Sequence, residues 1–129
     1  VVHAPRHTLN LMGEWTFART ALGTWRALAD YAYTVAHYLY PYQLTVTDPT
    51  SQAAANTRIA GAGFINLRLS LGGISLGTAA TGEAALWVRN AGDKKHVNNM
   101  IDFGPGFGNL TQAYYADPRT FGISFSARW

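Results

Sequence analysis

Four histidines are the side chains in this sequence best suited to bind a metal ion or transfer a proton near neutral pH: His3, His7, His37 and His96. His3 and His7 are four residues apart, but Pro5 between them disfavours the helix that would place them together. The chain contains no cysteine, which excludes thiolate ligands and a cysteine nucleophile. We therefore predict no metal site and no cofactor.

Residues 104–108, Gly-Pro-Gly-Phe-Gly, contain enough glycine to surround a phosphate group. A nucleotide-binding loop would continue with Lys and Ser or Thr at the start of a helix, and neither follows here. We predict a loop tip instead. The seven acidic residues are scattered, and no Ser-His-Asp arrangement or carboxylate pair can be identified, so we do not expect an enzyme.

Length and composition narrow the class of protein. The 129 residues correspond to one domain at most. Hydrophobic residues make up 48% of the chain, which argues against disorder, and charged residues only 13%. The net charge of +3 comes without a run of basic residues, so nucleic acid is not an expected partner. The sequence begins with Val1 rather than Met, and we expect that its true beginning is missing.

Alternation of apolar and polar residues is the dominant pattern, and it predicts half-buried strands. The alternating runs cover residues 8–17, 25–34, 65–71, 83–89 and 121–129. Short turns are predicted at 18–23 and 72–82, and long loops at 35–57 and 91–117. The predicted fold class is therefore all-β: an antiparallel up-and-down meander of about five long strands, with turns at one end and loops at the other.

Alternation alone leaves open whether the apolar side of these strands meets lipid or a protein core. The charged residues within the runs share the polar side: Glu14, Arg26, Asp30, Arg68, Glu83, Arg89 and Arg128. The lengths of the runs approach the ~9–11 residues that a tilted strand needs to cross a bilayer. Aromatic residues gather at both ends of the runs, as in the belts of a membrane barrel. These features favour a partial transmembrane β-barrel over a soluble sheet.

Five strands cannot close a barrel that crosses a membrane, because the smallest such barrels have about eight. An open sheet would leave unpaired backbone groups in lipid. On the membrane interpretation, the chain is either a piece of a larger barrel or one protomer of an oligomeric barrel.

Three segments resemble TonB-dependent outer-membrane receptors. Residues 83–95, EAALWVRNAGDKK, are similar to their penultimate strand and the Asn-Leu-x-Asp-Lys segment after it. Residues 114–129, YYADPRTFGISFSARW, resemble their closing strand, and residues 4–17, APRHTLNLMGEWTF, resemble the start of an earlier strand. The resemblance implies that residues 1–129 are the last five or so strands of the 22-stranded C-terminal barrel, with the plug domain absent.

The same resemblance implies a location and a function. The location is the outer membrane of a Gram-negative bacterium, and the function is active uptake of a scarce nutrient such as a ferric siderophore. The implied partners are outer-membrane lipid, the rest of the barrel and its plug, the barrel-insertion machinery, a small-molecule ligand, and TonB through an N-terminal part that these residues do not include. The alternative is a small soluble β-barrel that binds an apolar ligand.

Particular residues acquire roles on this interpretation. The seven charged residues of the polar side are expected to face the barrel lumen. The closing strand is expected to carry the assembly signal: Phe121, Ile123, Phe125, Ala127 and Trp129. Because binding residues concentrate on loops, the candidate ligand-binding residues are Asp102, Phe103, Tyr114 and Tyr115. Tyr38, Tyr40 and Tyr42 of the earlier loop are either further ligand contacts or anchors at the membrane interface.

Overall fold

The computed structural model describes residues 4–39, 58–103, 105–108 and 110–129. These residues form nine strands: β1 (Thr8–Thr20), β2 (Gly23–Thr34), β3 (His37–Tyr38), β4 (Arg58–Ile59), β5 (Ala62–Ser75), β6 (Thr81–Arg89), β7 (Val97–Asp102), β8 (Thr111–Tyr115) and β9 (Thr120–Arg128). The helical content of the described residues is one 3₁₀ turn, Pro105–Phe107. No helix in the described part of the chain is long and apolar enough to span a membrane.

The chain divides into two compact units. We call residues 10–32, 64–94 and 118–129 the sheet unit, and residues 1–9, 33–63 and 95–117 the loop unit. Each unit combines three separate stretches of sequence, so each is held together by contacts between residues that are distant in sequence.

The sheet unit is built on five antiparallel strands in the order β1-β2-β5-β6-β9, which confirms the predicted all-β meander. The strands contain 13, 12, 14, 9 and 9 residues, well above the usual strand length of about 5–6. β1 and β9 lie at the two edges of the sheet. Because neighbouring strands alternate in direction, these two edge strands run in the same direction.

The two short connections are tighter than the sequence predicted. β1 continues through Ala18 and Arg19, so only residues 21–22 join it to β2. The second turn shrinks from 72–82 to 76–80, where the backbone N–H of Leu76 donates to the carbonyl of Ala80 at 3.0 Å. The glycines at 72–73 had suggested the start of the turn, but Gly73 forms a bulge within β5. Its φ is 74°, and the register shifts between Gly72 and Ile74.

The loop unit contains strands that the alternation pattern did not reveal. β3 and β4 form an antiparallel ribbon that pairs His37 with Ile59 and Tyr38 with Arg58. The predicted glycine-rich loop at 91–117 is wrong in detail, since most of it is a hairpin of β7 and β8 with the 3₁₀ turn at its tip. β7 reads Val-Asn-Asn-Met-Ile-Asp, which lacks an alternating pattern. Most of the loop predicted at 35–57 lies outside the described residues.

Candidate functional site

The two faces of the sheet stay in register from β5 through β6 to β9. One face carries three consecutive apolar rows: Leu67–Val88–Phe121, Leu69–Leu86–Ile123 and Leu71–Ala84–Phe125. The opposite face carries the rows Arg68–Trp87–Gly122, Ser70–Ala85–Ser124 and Gly72–Glu83–Ser126. We call these the apolar face and the polar face. A slip of one residue would exchange them, so the pairing register and the sequence pattern agree.

The apolar face is uncovered in the described chain. Leu86 in the central row is 53% exposed, and Ile123 beside it is 78% exposed. Among the described hydrophobic residues, only Leu39, Ile59 and Ala85 are buried, and Ala85 lies on the polar face. The sheet therefore has no core of its own on its apolar side. A contiguous exposed apolar surface of this kind marks an interface with another protein surface or with lipid.

Aromatic side chains cluster on this face at the end of the sheet where the short turns lie. The rings of Trp15 and Phe17 are 5.6 Å apart between centroids, and those of Phe17 and Trp25 are 6.4 Å apart. Trp129 follows β9, which runs in the same direction as β1 and so ends at the same end of the sheet. The ring contacts thus join β1 and β2, whereas Trp129 lies at the same end of the sheet but beside the opposite edge strand.

Seven charged residues were predicted to share one side: Glu14, Arg26, Asp30, Arg68, Glu83, Arg89 and Arg128. The register places Arg68, Glu83, Arg89 and Arg128 on the polar face, and Asp30 joins them through its bond with Asn66. Arg26 has the same parity as Asp30 along β2, and Glu14 alternates with Trp15, which lines a hollow on the apolar face. Two of the seven pair across β5 and β6, where Nη2 of Arg68 donates to Oε1 of Glu83 at 2.7 Å. This ion pair spans the Ser70–Ala85 row, in which Ala85 is buried. That these residues face a barrel lumen remains a prediction.

Trp87 is a feature of the polar face that the sequence analysis did not select. A Cβ atom on Gly122 would collide with Cζ2 of Trp87, so the indole fills the space above this glycine. The guanidinium carbon of Arg89 lies 5.5 Å from the indole centroid, within cation–π range. A tryptophan opposite a glycine on neighbouring strands is the sequence signal for such a pair, but it becomes visible only once the register is known.

A cavity of about 590 Å³ with mixed polar and apolar lining lies on this face. The residues with polar or aromatic side chains that line it are Asp30, Asn66, Arg68, Trp87, Arg89 and Ser124. Asn66 donates through Nδ2 to Oδ1 of Asp30 at 2.7 Å, which joins β5 to β2 on the polar face. The cavity thus combines both signs of charge with amide and indole groups.

Asn90 organises the chain where β6 ends. It is 5% exposed and has a φ of 49°, in the left-handed region that asparagine tolerates better than most residues. Its Oδ1 accepts from the backbone N–H of Lys94 at 2.9 Å, and its Nδ2 donates to the Lys94 carbonyl at 3.1 Å. Its own backbone N–H donates to Oδ1 of Asn66 at 2.9 Å. One side chain therefore closes the turn, and one backbone group fastens it to β5.

Asp93 completes this turn. Its φ is also 49°, and its Oδ1 accepts from the backbone N–H of Arg119 at 3.2 Å, just before β9 begins. Residues 90–94 belong to one of the segments that resemble TonB-dependent receptors. Through Asn90 and Asp93 they join the end of β6 to Asn66 of β5 and to Arg119, just before β9. Asn90 and Asp93 therefore have structural roles in this chain.

The predicted assembly-signal residues lie on or next to β9. Phe121, Ile123, Phe125 and Ala127 lie on the apolar face, and Trp129 follows the strand. Phe121 is 82% exposed. Within the described chain β9 pairs only with β6, so its outer edge carries no neighbouring strand. Recognition of these residues by an insertion machinery remains a prediction.

The four predicted ligand-binding residues all lie on or beside the β7–β8 hairpin, but they do not gather at one place. Asp102 and Phe103 lie near its tip, and the ring of Phe103 packs edge-on against Phe107 at 6.0 Å. Tyr114 and Tyr115 lie near its base, about three to five register positions away, or roughly 10–16 Å at the usual rise per residue. As consecutive strand residues, the two tyrosines also project to opposite sides.

Tyr38, from the earlier loop, is exposed and pairs across the ribbon with Arg58. Tyr40 and Tyr42 lie outside the described residues. Their assignment as ligand contacts or interface anchors therefore stays a prediction.

The histidines do not form a metal centre in the described part of the chain, where no three His, Cys, Asp or Glu side chains come close enough to hold an ion. His96 and His37 belong to the loop unit and interact electrostatically. Burial lowers the pKa of His96 below its usual 6.5, and the neighbouring His37 lowers it further. His96 is therefore held in its neutral form over more of the acidic range than a free histidine.

Together, these features define an antiparallel β-meander with one apolar and one charged face and with two open edges. Comparison of the chain with protein-family models, curated proteins and solved structures found no match in any of the three.

Proposed function

We propose that this chain forms part of the wall of a transmembrane β-barrel in a bacterial outer membrane, as the closing section of a TonB-dependent receptor. One observation carries the proposal: an uncovered apolar face, in register across the strands, lies opposite a face that holds the charges. In a membrane barrel the first face meets lipid and the second faces the lumen.

The exclusion of charge from the apolar rows of the last three strands of the sheet supports lipid contact. The apolar rows across β5, β6 and β9 contain no charged residue. A charge near the bilayer midplane costs about 2–4 kcal/mol, so a lipid-facing surface must exclude it. A sheet exposed to water has no such requirement, and sheet proteins usually place charges on exposed strands to prevent association.

The open edges support a larger barrel rather than a ring of identical copies. β1 and β9 run in the same direction. If copies stood side by side in the same orientation, β9 of one would meet β1 of the next in parallel, whereas strands of membrane barrels are antiparallel. The outer edge of β9 therefore needs a strand that runs the other way, as the first strand of a 22-stranded barrel would.

The proposal assigns a role to each part of the chain. The polar face, with its Asp30–Asn66 and Arg68–Glu83 contacts, borders the lumen and the plug. The long connections at 35–61 and 90–119 form outer loops that contribute to recognition of a nutrient such as a ferric siderophore. The short turns at 21–22 and 76–80 lie on the periplasmic side. Coupling to TonB belongs to the N-terminal part of the receptor.

The test is fractionation of the native source. An antibody raised against residues 114–129 is used to probe the outer-membrane and soluble fractions, with and without heating. The proposal expects a band several times larger than 14.0 kDa in the outer membrane, with a mobility that shifts on heating.

The alternative is a soluble β-barrel that holds an apolar ligand. It is favoured by a hollow of about 560 Å³ on the apolar face, lined by Trp15, Ala27, Leu69 and Leu86 among others. A 14.0 kDa band confined to the soluble fraction would establish this alternative and reject the membrane proposal.

A further inference from the structure

A third cavity, of about 590 Å³, lies within the loop unit and has a different chemical character. Four of its lining residues have polar side chains: Arg6, His37, Tyr38 and Arg58. The others are alanines and a proline, so no described residue that lines the cavity is acidic. The sequence analysis did not select Arg6 or Arg58, because neither belongs to a motif.

The backbone brings the two arginines to one place. Arg58 pairs across the β3–β4 ribbon with Tyr38, so these two side chains leave the ribbon on the same side. Arg6 comes from the segment before β1, which is fastened when the backbone N–H of Val35 donates to the carbonyl of His7 at 3.3 Å. His37, the neighbouring residue of β3, pairs with Ile59, which is buried.

Neither arginine forms an ion pair with a described side chain. Each guanidinium carries a positive charge, so an anion in the cavity that both arginines line would be attracted to both. Arginine and the tyrosine hydroxyl both donate hydrogen bonds, and a guanidinium matches the two oxygens of a carboxylate or phosphate. The cavity volume is within the range of about 300–1,000 Å³ found for small-molecule sites.

We propose that Arg6, Arg58 and Tyr38 form a binding site for a small free molecule that carries a phosphate or carboxylate group. The two arginines bind the oxyanion, and the Tyr38 hydroxyl donates to one of its oxygens. This site lies entirely within the loop unit. The inference therefore holds whether the sheet unit meets lipid or protein.

The experiment is calorimetric titration of the full protein, purified from whichever cell fraction contains it, with inorganic phosphate and separately with citrate at constant ionic strength. We expect binding of at least one of the two. Arg58→Gln and Arg6→Gln should each weaken that binding at least tenfold. Arg58→Lys should weaken it less than Arg58→Gln, because it keeps the charge but loses the planar fork.

Arg19→Gln is the matched control, because it removes the same charge from β1 of the sheet unit and should leave the affinity within about twofold. Chymotryptic digestion checks that the loop unit of each variant is folded as in the unmodified protein. The proposal is wrong if the unmodified protein binds neither anion, or if Arg19→Gln weakens binding as much as Arg58→Gln. Binding to phosphatidylglycerol vesicles without binding to either free anion would also refute it. None of these titrations depends on the size or location of the band in the fractionation experiment.

Discussion

Leu86→Arg tests directly what the apolar face contacts. Leu86 lies next to the centre of β6, with Leu69 on one side and Ile123 on the other. It is already 53% exposed, so an arginine there meets no packed core and creates no steric conflict within the chain. The effect of the substitution therefore depends mainly on whether the surroundings are lipid or water.

The two environments predict effects of different size. In a bilayer, an arginine near the midplane of a barrel strand costs about 2–4 kcal/mol, which changes the ratio of folded to unfolded protein by a factor of about 30 to 700. In water, a substitution at an exposed position away from special features changes stability by about 0.5 kcal/mol or less. We expect the larger effect.

The assay is urea unfolding of the protein in phosphatidylcholine vesicles, followed by tryptophan fluorescence. Ser126→Arg is the matched control, because it adds the same side chain to the polar face, opposite Glu83 on β6. Val88→Arg places the charge nearer the loop end of β6 and should cost less than Leu86→Arg, since the penalty falls towards the interface. Equal costs for Leu86→Arg and Ser126→Arg, or the absence of any difference between Leu86→Arg and Val88→Arg, would refute lipid contact at this face.

Three further predictions concern particular contacts. Gly122→Val forces methyl groups into the indole of Trp87 and should lower the free energy of unfolding by about 1–3 kcal/mol. Gly13→Val, with nothing within 4 Å of its added Cβ, should change that free energy little. Equal denaturant midpoints for the two variants would contradict the observed contact. Asn90→Ala and Asn90→Gly both remove the two side-chain bonds to the Lys94 backbone. Only alanine is then also strained by the positive φ, so Asn90→Ala should destabilise more than Asn90→Gly. The opposite order in urea titrations would show that the turn geometry matters little. The third prediction concerns pH: because the pKa of His96 is lower in the folded chain than in the unfolded chain, protonation favours unfolding. The contribution of neutral His96 to the stability of the loop unit should therefore be complete above about pH 6.5 and should decrease as the pH falls towards the folded pKa. Amide hydrogen exchange between pH 7 and 5 should show this decrease, and His96→Gln should remove it.

The sequence was sufficient to predict the strands of the sheet and their two faces. Alternation is a local property, because successive side chains of a strand point to opposite sides whatever the strand pairs with. Alternation along β6 predicted that Glu83 and Arg89 share one side and that Leu86 lies on the other. The pairing register shows the same arrangement. Turn boundaries were less predictable, since Gly73 serves as a bulge within β5.

The short ribbons of the loop unit could not be predicted in the same way. β3 and β4 contain two residues each, too few to display a period. β7 contains consecutive polar residues, and its pairing with β8 provides order that its own pattern does not indicate. The hairpin also separates Asp102 from Tyr114 and Tyr115, which the sequence had placed together only because they belonged to one predicted loop.

Contacts between strands were decided by the tertiary structure alone. Asp30 and Asn66 are 36 residues apart, and no local pattern relates them. The same is true of Trp87 and Gly122, which touch only when β6 and β9 pair, and of Arg6 and Arg58, which line one cavity only when separate segments meet. Sequence periodicity thus determined which face of each strand a side chain occupies, because that is set by backbone geometry within the strand. Which side chains meet was decided by strand order and register, because these depend on pairing between distant segments.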